Sequence, residues 1–393
     1  MTARSYLDWN ASAPLRPAAR DSARAALELC GNPSSVHGEG RAARRLIEQA
    51  REDVAALVAA DPRNVIFTSG VTEANTLALS SAIEQGVDKA PRDRLLISAI
   101  EHPSVLGGGR FVPAAVEMVP VTTAGIVNLV ALEQRLDELA RGGSRPLVSI
   151  MAANNETGVI QPVVAASEIV HRHGGFLHVD AVQAAGRMAL DLSALGADLL
   201  TLSAHKLGGA KGAGALVMRD EALHIAEPLI RGGGQERGAR AGTENVAAIA
   251  AFGAAAVECR ASLAAEATHM AALRDRLEAG LHALTPEAVI FGSEAERLPN
   301  TTLVAMSGAK AETLVIGFDL DGVAVSSGAA CSSGKVAPSH VLAAMGVPAE
   351  LARGAIRVSL GPTTTEAEID RFLNVWQRLT KSLSRGMKPG LAA

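Results

Sequence analysis

Two short apolar runs in the middle of the chain each end in residues able to do chemistry. FLHV (176–179) leads into Asp180, and LLTLS (199–203) ends on Ser203, followed by Ala204, His205 and Lys206. Runs of this length and composition read as buried strands. Charged side chains rarely sit beside a core unless they are paired or used, and Lys206, at the mouth of such a strand, needs one of those explanations. Desolvation favours the neutral amine, the form that attacks an aldehyde, so the position suits a Schiff-base lysine. Asp180, on the neighbouring strand, is an acid able to hold a pyridine nitrogen protonated and so make a pyridoxal ring a better electron sink. The competing reading is a surface lysine at a strand end, with Asp180 capping a helix.

Further polar clusters punctuate the chain. In FTSGVTEAN (67–75) a strand ends at Ser69 and Gly70 and a helix starts near Thr72. The amides of such a start, with a hydroxyl beside them, bind phosphate, although Thr72 with a downstream acid also reads as a capping box. His102, after the run LLISA, is able to stack on a flat cofactor and move protons, or is an ordinary loop residue. Asn154, Asn155 and Gly158 of NNETG suit a site at the carboxyl ends of parallel strands, or a plain turn. RGGGQERGARAGTEN (231–245) mixes arginines, which recognise phosphate and carboxylate, with glycines that let backbone come close; the alternative is a solvated loop. Cys331 lies in SSGAACSSG (326–334) among small residues, which suits a travelling nucleophile better than a structural thiol such as Cys259. Arg357, inside the apolar run AIRVSL, needs an anion, either an acid of the fold or a substrate carboxylate.

The elements that must position these residues alternate. From Val65 the runs VIFTS, LLISA, VEMVPV, LVSIM, FLHV, LLTLS and ALVM are separated by helix patterns. That order predicts an α/β fold with a mainly parallel seven-stranded sheet covered by helices on both faces. Alanine-rich helix patterns from Glu244 to about Leu284 lead to a second set, TTLVAM, VAVSS and AIRVSL, with helices near 312–318, near 338–345 and from Glu366. This set predicts a smaller α+β domain. The expected division is 16–262 for the large domain, with 1–15 and 263–393 forming the small one that carries the Cys331 loop. A chain of 393 residues has room for both. With net charge −4, 48% apolar and 20% charged residues, no basic block marks a nucleic-acid or membrane-surface partner, and neither is expected. The three cysteines have neither disulfide nor zinc-ligand spacing, so no metal site is expected. MTARSYLDWN lacks an apolar signal core, and the expectation is a soluble cytoplasmic protein.

Taken in order, TSGVTEAN, EHP, NNETG, HVDAVQ, SAHKLGGAKG, GGGQERGARAGTEN and SSGAACSSG resemble the cysteine desulfurases. These belong to the class V aminotransferase group of pyridoxal 5'-phosphate (PLP) enzymes, with the aspartate-aminotransferase fold type I. The resemblance runs from LDWNASAP to RVSLGPTTTEAEID. It implies PLP linked to Lys206, with Asp180 at the pyridine nitrogen, Gln183 at the phenolic oxygen, and His102 stacked on the ring and assisting proton transfer. It implies a phosphate held by Thr72, Ser203 and His205 with Val71 backbone, and reached by Thr243 of the other subunit in a homodimer. Asn155, counted also among the cofactor contacts, and Arg357 would bind the substrate carboxylate. Cys331 would accept the sulfur of L-cysteine as a persulfide, with L-alanine released, and pass it to a sulfur-acceptor protein such as an iron–sulfur scaffold. The SSGAAC form and long loop resemble the iron–sulfur-assembly group. Ala204 and Ala210 depart from a common glycine and proline, and the chain stops soon after its last helix pattern, short of an extension that some relatives use for docking a scaffold. The alternatives are a related class V aminotransferase or selenocysteine lyase, and an idle scaffold that keeps the fold. A nicotinamide enzyme lacks its GxGxxG turn here.

Overall fold

Seven aliphatic runs build the central sheet of the protein, whose computed structural model describes residues 4–87, 89–328 and 338–386. They are β1 (Val65–Thr68), β2 (Arg94–Ser98), β3 (Val116–Val119), β4 (Pro146–Met151), β5 (Phe176–Asp180), β6 (Leu199–Ser203) and β7 (Gly214–Met218), in the spatial order β1-β7-β6-β5-β4-β2-β3. Strands β2 through β6 pair in parallel, while β7 is antiparallel to both β6 and β1. The mainly parallel sheet expected from the alternation therefore contains one reversed strand. Only residues 204–213 join β6 to β7, fewer than the roughly dozen a parallel crossover needs.

Helices α1 (Pro17–Leu27), α2 (Gly38–Leu57), α3 (Val71–Ala78), α4 (Leu129–Arg141), α5 (Val163–Arg172) and α6 (Val246–Leu284) cover the sheet. The period-two alternation of the strands sorts side chains onto two faces. Val148, Ile150, Leu177, Val179, Leu200 and Leu202 enter the larger core with Ile47 of α2 and Phe252 of α6. Leu147, Phe176 and Leu199 enter the opposite core with Ala74 and Leu77 of α3. Further along the strands this second face turns polar, with Ser149, His178, Asp180 and Thr201 all buried. Its apolar half anchors α3, and its polar half lies toward the carboxyl ends, where parallel sheets bind ligands.

A second sheet of four short strands is antiparallel throughout: β8 (Val289–Ile290), β9 (Thr301–Ala305), β10 (Ser326–Ser327) and β11 (Ile356–Ser359), in the order β8-β9-β11-β10. Helices α7 (Ala311–Leu320) and α8 (Glu366–Gly386) close its core, where the rings of Phe318 and Phe372 stack at 4.6 Å. VAVSS is not a single strand. Val323–Ala324 pairs in parallel with Ser5–Tyr6, whereas β10 pairs with β11, so the segment changes sheets at the buried Val325.

The helix patterns over 244–284 are one continuous helix of 39 residues, α6, capped by Asn245 accepting from the Ala248 N–H. Its first half packs in the larger core through Ile249, Phe252 and Ala256, its last turns in the smaller core through Leu273, Leu277 and Leu281. The expected boundary at 262/263 thus falls inside a helix. Among the described residues α6 alone is long and apolar enough to cross a membrane, and its burial in both cores makes it a core helix.

Candidate active site

Most of the polar residues expected at the site end or follow a strand of the large sheet. Val71 and Thr72 open α3 after β1, His102 follows β2, Asn155 follows β4, Gln183 follows β5, and His205 and Lys206 follow β6, while Asp180 ends β5. With Arg357 of β11 these side chains line one cleft of about 260 Å³. Ser203 lines an adjoining recess together with Ser69, Gly70, Val71, Thr72, His205 and Lys211. Thr243 is exposed and lines neither. Cys331 lies outside the described residues.

Lys206 is half-buried, and its Nζ donates to the carbonyl oxygens of Asn10 at 2.5 Å and Ala11 at 2.8 Å. It is a cleft lysine, not the surface lysine of the competing reading. Asp180 accepts the Val182 N–H at 3.1 Å on Oδ1 and the Asn75 amide at 3.0 Å on Oδ2. Gln183 has its Oε1 taken by Arg187 Nη1 at 3.0 Å, while its Nε2 donates to the Asn10 carbonyl at 3.2 Å. Arg187 itself is buried, and burial lowers its pKa to about 10.

His102 caps a one-turn helix, Pro103–Leu106, by accepting the Ser104 N–H on Nδ1 at 3.1 Å. A nitrogen that accepts carries no proton, so the neutral ring is protonated on Nε2. Burial, helped by Lys206 and His340 and opposed by Asp180, lowers the His102 pKa and favours that neutral form. Burial also pushes His205 down to about 4, with Lys206 and Lys211 adding to the effect.

The start of α3 has Gly70 as its cap residue and no side-chain cap. The alternative reading, a capping box at Thr72, does not form; instead Glu73 turns back to accept the N–H (3.1 Å) and hydroxyl of Ser69. The first helical bond runs from the Ala74 N–H to the Gly70 carbonyl, so the amides of Val71, Thr72 and Glu73 come before it. Strand β7 begins against this turn: a Cβ on Gly214 would lie 2.6 Å from the Gly70 carbonyl carbon.

Arg357 finds an acid within the fold and keeps capacity for a second acceptor. Its Nη2 donates to Asp8 at 2.9 Å and its Nη1 to the Asn155 carbonyl at 3.0 Å, while Nε is buried without a partner. Two residues of the site went unassigned in the sequence. Asn10 offers its carbonyl to Lys206 and Gln183 and its amide to the Asn155 carbonyl and Thr301; it stood in LDWNASAP, where no strand pattern pointed to it. Asn75, inside TSGVTEAN, sits on the inner face of α3 and is fully buried.

The donor set fits PLP at its three functional ends. Lys206 offers an amine for the aldehyde, Asp180 a carboxylate for the ring nitrogen, and the α3 amides with Thr72, Ser203 and His205 a cradle for the phosphate.

Comparison with known proteins agrees. The family described as aminotransferase class V matches residues 5–372. A cysteine desulfurase of Cereibacter sphaeroides is 44% identical, with 98% of each chain covered. An IscS-like cysteine desulfurase of Mycobacterium tuberculosis is 37% identical over 99% of this chain and 98% of the relative. The solved structure of a NifS-like protein from Rickettsia africae superposes with a TM-score of 0.86 at 35% identity, covering 96% of this chain and 99% of that one. A whole-length family match, a shared α/β fold and a lysine–aspartate cleft at the strand ends agree: the chain belongs to the class V aminotransferases and is a PLP-dependent enzyme.

Proposed function

We propose that the protein is a cysteine desulfurase that converts L-cysteine to L-alanine, takes the sulfur onto Cys331 as a persulfide and supplies it to iron–sulfur cluster assembly or a related thiolation. The observation that supports this most is the single cleft shared by Lys206, Asp180, His102 and Arg357. When bound, PLP supplies an electron-poor ring that stabilises negative charge at the substrate Cα. Lys206 would hold the cofactor through its amine and, when free, would take the Cα proton. Asp180 would hold the ring nitrogen, Gln183 would donate Nε2–H to the phenolic oxygen, and Val71, Thr72, Ser203 and His205 would hold the phosphate. Arg357 turns its unpartnered Nε, and Asn155 its amide, to the substrate carboxylate. The Cys331 thiolate attacks the substrate sulfur; a sulfur–sulfur bond forms as the carbon–sulfur bond breaks, and its electron pair passes to the substrate carbon. The proton that Cys331 gives up on becoming a thiolate would be relayed by His102 to Cβ, completing the methyl, and Lys206 would return a proton to Cα as L-alanine forms.

This reading includes a homodimer in which the exposed Thr243 reaches the phosphate of the other subunit, a sulfur-acceptor protein as partner, and a cytoplasmic location. It divides the chain at 262/263, within α6. Mass spectrometry of the Cys331 peptide after L-cysteine treatment tests it: one added sulfur is expected. Cys331→Ser should keep the visible absorption of bound PLP yet stop alanine release. No added sulfur together with undiminished alanine release in Cys331→Ser would sink the proposal in favour of another class V activity.

A further inference from the structure

A row of buried hydrogen bonds runs across the sheet and ends at the cleft. Ser149 Oγ lies 2.8 Å from His178 Nδ1, and His178 Nε2 lies 3.1 Å from Thr201 Oγ1. Thr201 Oγ1 is 2.6 Å from Asn75 Oδ1. The Asn75 amide nitrogen is 3.0 Å from Asp180 Oδ2 and 2.9 Å from Ser104 Oγ, which lies 2.8 Å from His102 Nδ1. Ser149, His178, Thr201 and Asn75 are all fully buried, so water cannot stand in for any of them. Strand register explains the row. Ser149 faces His178 across β4 and β5, and Thr201 faces Asp180 across β5 and β6, all on the face that α3 covers.

The direction of every bond follows from what each group can do. A carboxylate only accepts, so the NH2 of Asn75 faces Asp180 and its carbonyl faces Thr201. Thr201 must then donate to Asn75 and accept from His178 Nε2–H. His178 is neutral, because burial holds its pKa near 4, and its Nδ1 accepts from Ser149. At the other end Asn75 gives its second proton to Ser104, and Ser104 gives its own to His102 Nδ1. All the donors point one way, and the row forks at Asn75 into one arm for Asp180 and one for His102.

We propose that Asn75 is a positioning residue that couples the acid serving the ring nitrogen to the histidine serving the substrate, with Thr201 and His178 fixing which way its amide points. The inference rests on the roles assigned above to Asp180 and His102. The row adds the Ser104 hydroxyl to the Ser104 N–H at His102 Nδ1, so that both hold the ring in place, and it turns one Asp180 oxygen toward α3.

Thr201→Val removes the hydroxyl at nearly constant volume, and Thr201→Ser restores it, so the pair isolates the hydrogen bond from the packing. Nitrogen NMR of ring-labelled histidine, recorded without PLP, should show the His102 Nδ1 resonance at one position in the wild type and in Thr201→Ser, and displaced in Thr201→Val. In the holoenzyme the pH midpoint of the visible absorption should shift in Thr201→Val alone, with kcat down about tenfold and KM little changed. Wild-type histidine and visible spectra in Thr201→Val, with melting equal to Thr201→Ser, would overturn the coupling. Should Thr201→Val fail to fold, Ser104→Ala decides the His102 arm: it should displace the His102 Nδ1 resonance, with the residue-104 N–H still holding the Nε2–H form, and leave the absorption midpoint in place, and an undisplaced resonance there overturns the proposal. Asp180→Asn separates this from the underlying reading, since an unchanged visible spectrum in that variant would overturn the role of Asp180 whatever Thr201 does.

Discussion

Glu156 shows how far a single environment moves a carboxyl. It is 3% exposed, accepts the Ser339 hydroxyl at 2.5 Å, and burial pushes its pKa up to about 7 against the pull of Ser339 and Arg357. The unfolded chain releases that proton near 4.5, so stability due to the neutral buried form is complete below about 4.5 and is lost as pH rises through about 7. The shift corresponds to an upper figure on the order of 3 kcal/mol. Glu156→Gln keeps an oxygen for Ser339 and removes the titration. Its melting temperature should exceed wild type clearly at about pH 8 and little at about pH 5. Calorimetry at both values checks this, and an equal effect at the two would show that the carboxyl does not fold neutral. Single residues were legible in the sequence where they broke a rule. Lys206, Asp180 and Arg357 each put charge against an apolar run, and Cys331 lacked the apolar neighbours of a structural thiol. Asn10, Asn75 and Arg187 broke none, because a neutral amide or an arginine beside a turn is ordinary until its partners are known.

At the level of elements, the approach of β7 to α3 has a direct consequence for cofactor binding. Gly214 leaves no room for a side chain: its Cβ would lie 2.6 Å from the Gly70 carbonyl carbon and 2.8 Å from the Val71 nitrogen. Gly214→Ala must therefore move the helix start whose amides face the phosphate recess. Stability should fall by about 1–3 kcal/mol, as overpacking usually costs. The dissociation constant for PLP should rise on the order of tenfold, since the amides lose their aim at the phosphate. Fluorescence titration of the PLP-free protein and a thermal melt measure the two effects; an unchanged PLP affinity would show that this turn is not the phosphate cradle. The strands of the large sheet were readable because burial makes most of them largely apolar runs, broken by single polar residues such as Ser149, His178 and Thr201. The reversal of β7 was not, since strand direction leaves no mark on composition and only the short 204–213 connection betrays it. VAVSS looked like one strand because a change of sheet at Val325 alters partners, not residue types.

On the scale of the whole molecule, the larger and the smaller core are tied by α6 and by residues 5–10. The alanine-rich pattern gave no sign that one helix runs through 262/263, because it continues unchanged through α6 from one core into the other. Nor was there a sign of the reach of the N-terminal segment, whose partners lie hundreds of positions away. Ser5–Tyr6 pairs with Val323–Ala324, Leu7 enters the smaller core, and Asp8 holds Arg357. Asn10 then binds the Asn155 carbonyl after β4, Thr301 at the start of β9, and Asn300 through its Oδ1. It is 1% exposed, so truncating it leaves several buried groups without partners, at about 1–3 kcal/mol each. The loss falls on the junction and not inside either core. Asn10→Ala should therefore weaken the coupling between the two cores as well as total stability. Trp376, buried in the smaller core, reports on that core once Trp9 is replaced by Phe, while far-UV circular dichroism follows the chain as a whole. In urea the two signals should coincide for the Trp9→Phe parent, and in the Asn10→Ala version the fluorescence change should come first. Coincident curves in both, shifted by the same amount, would mean that α6 alone carries the coupling and that the N-terminal strap only adds stability.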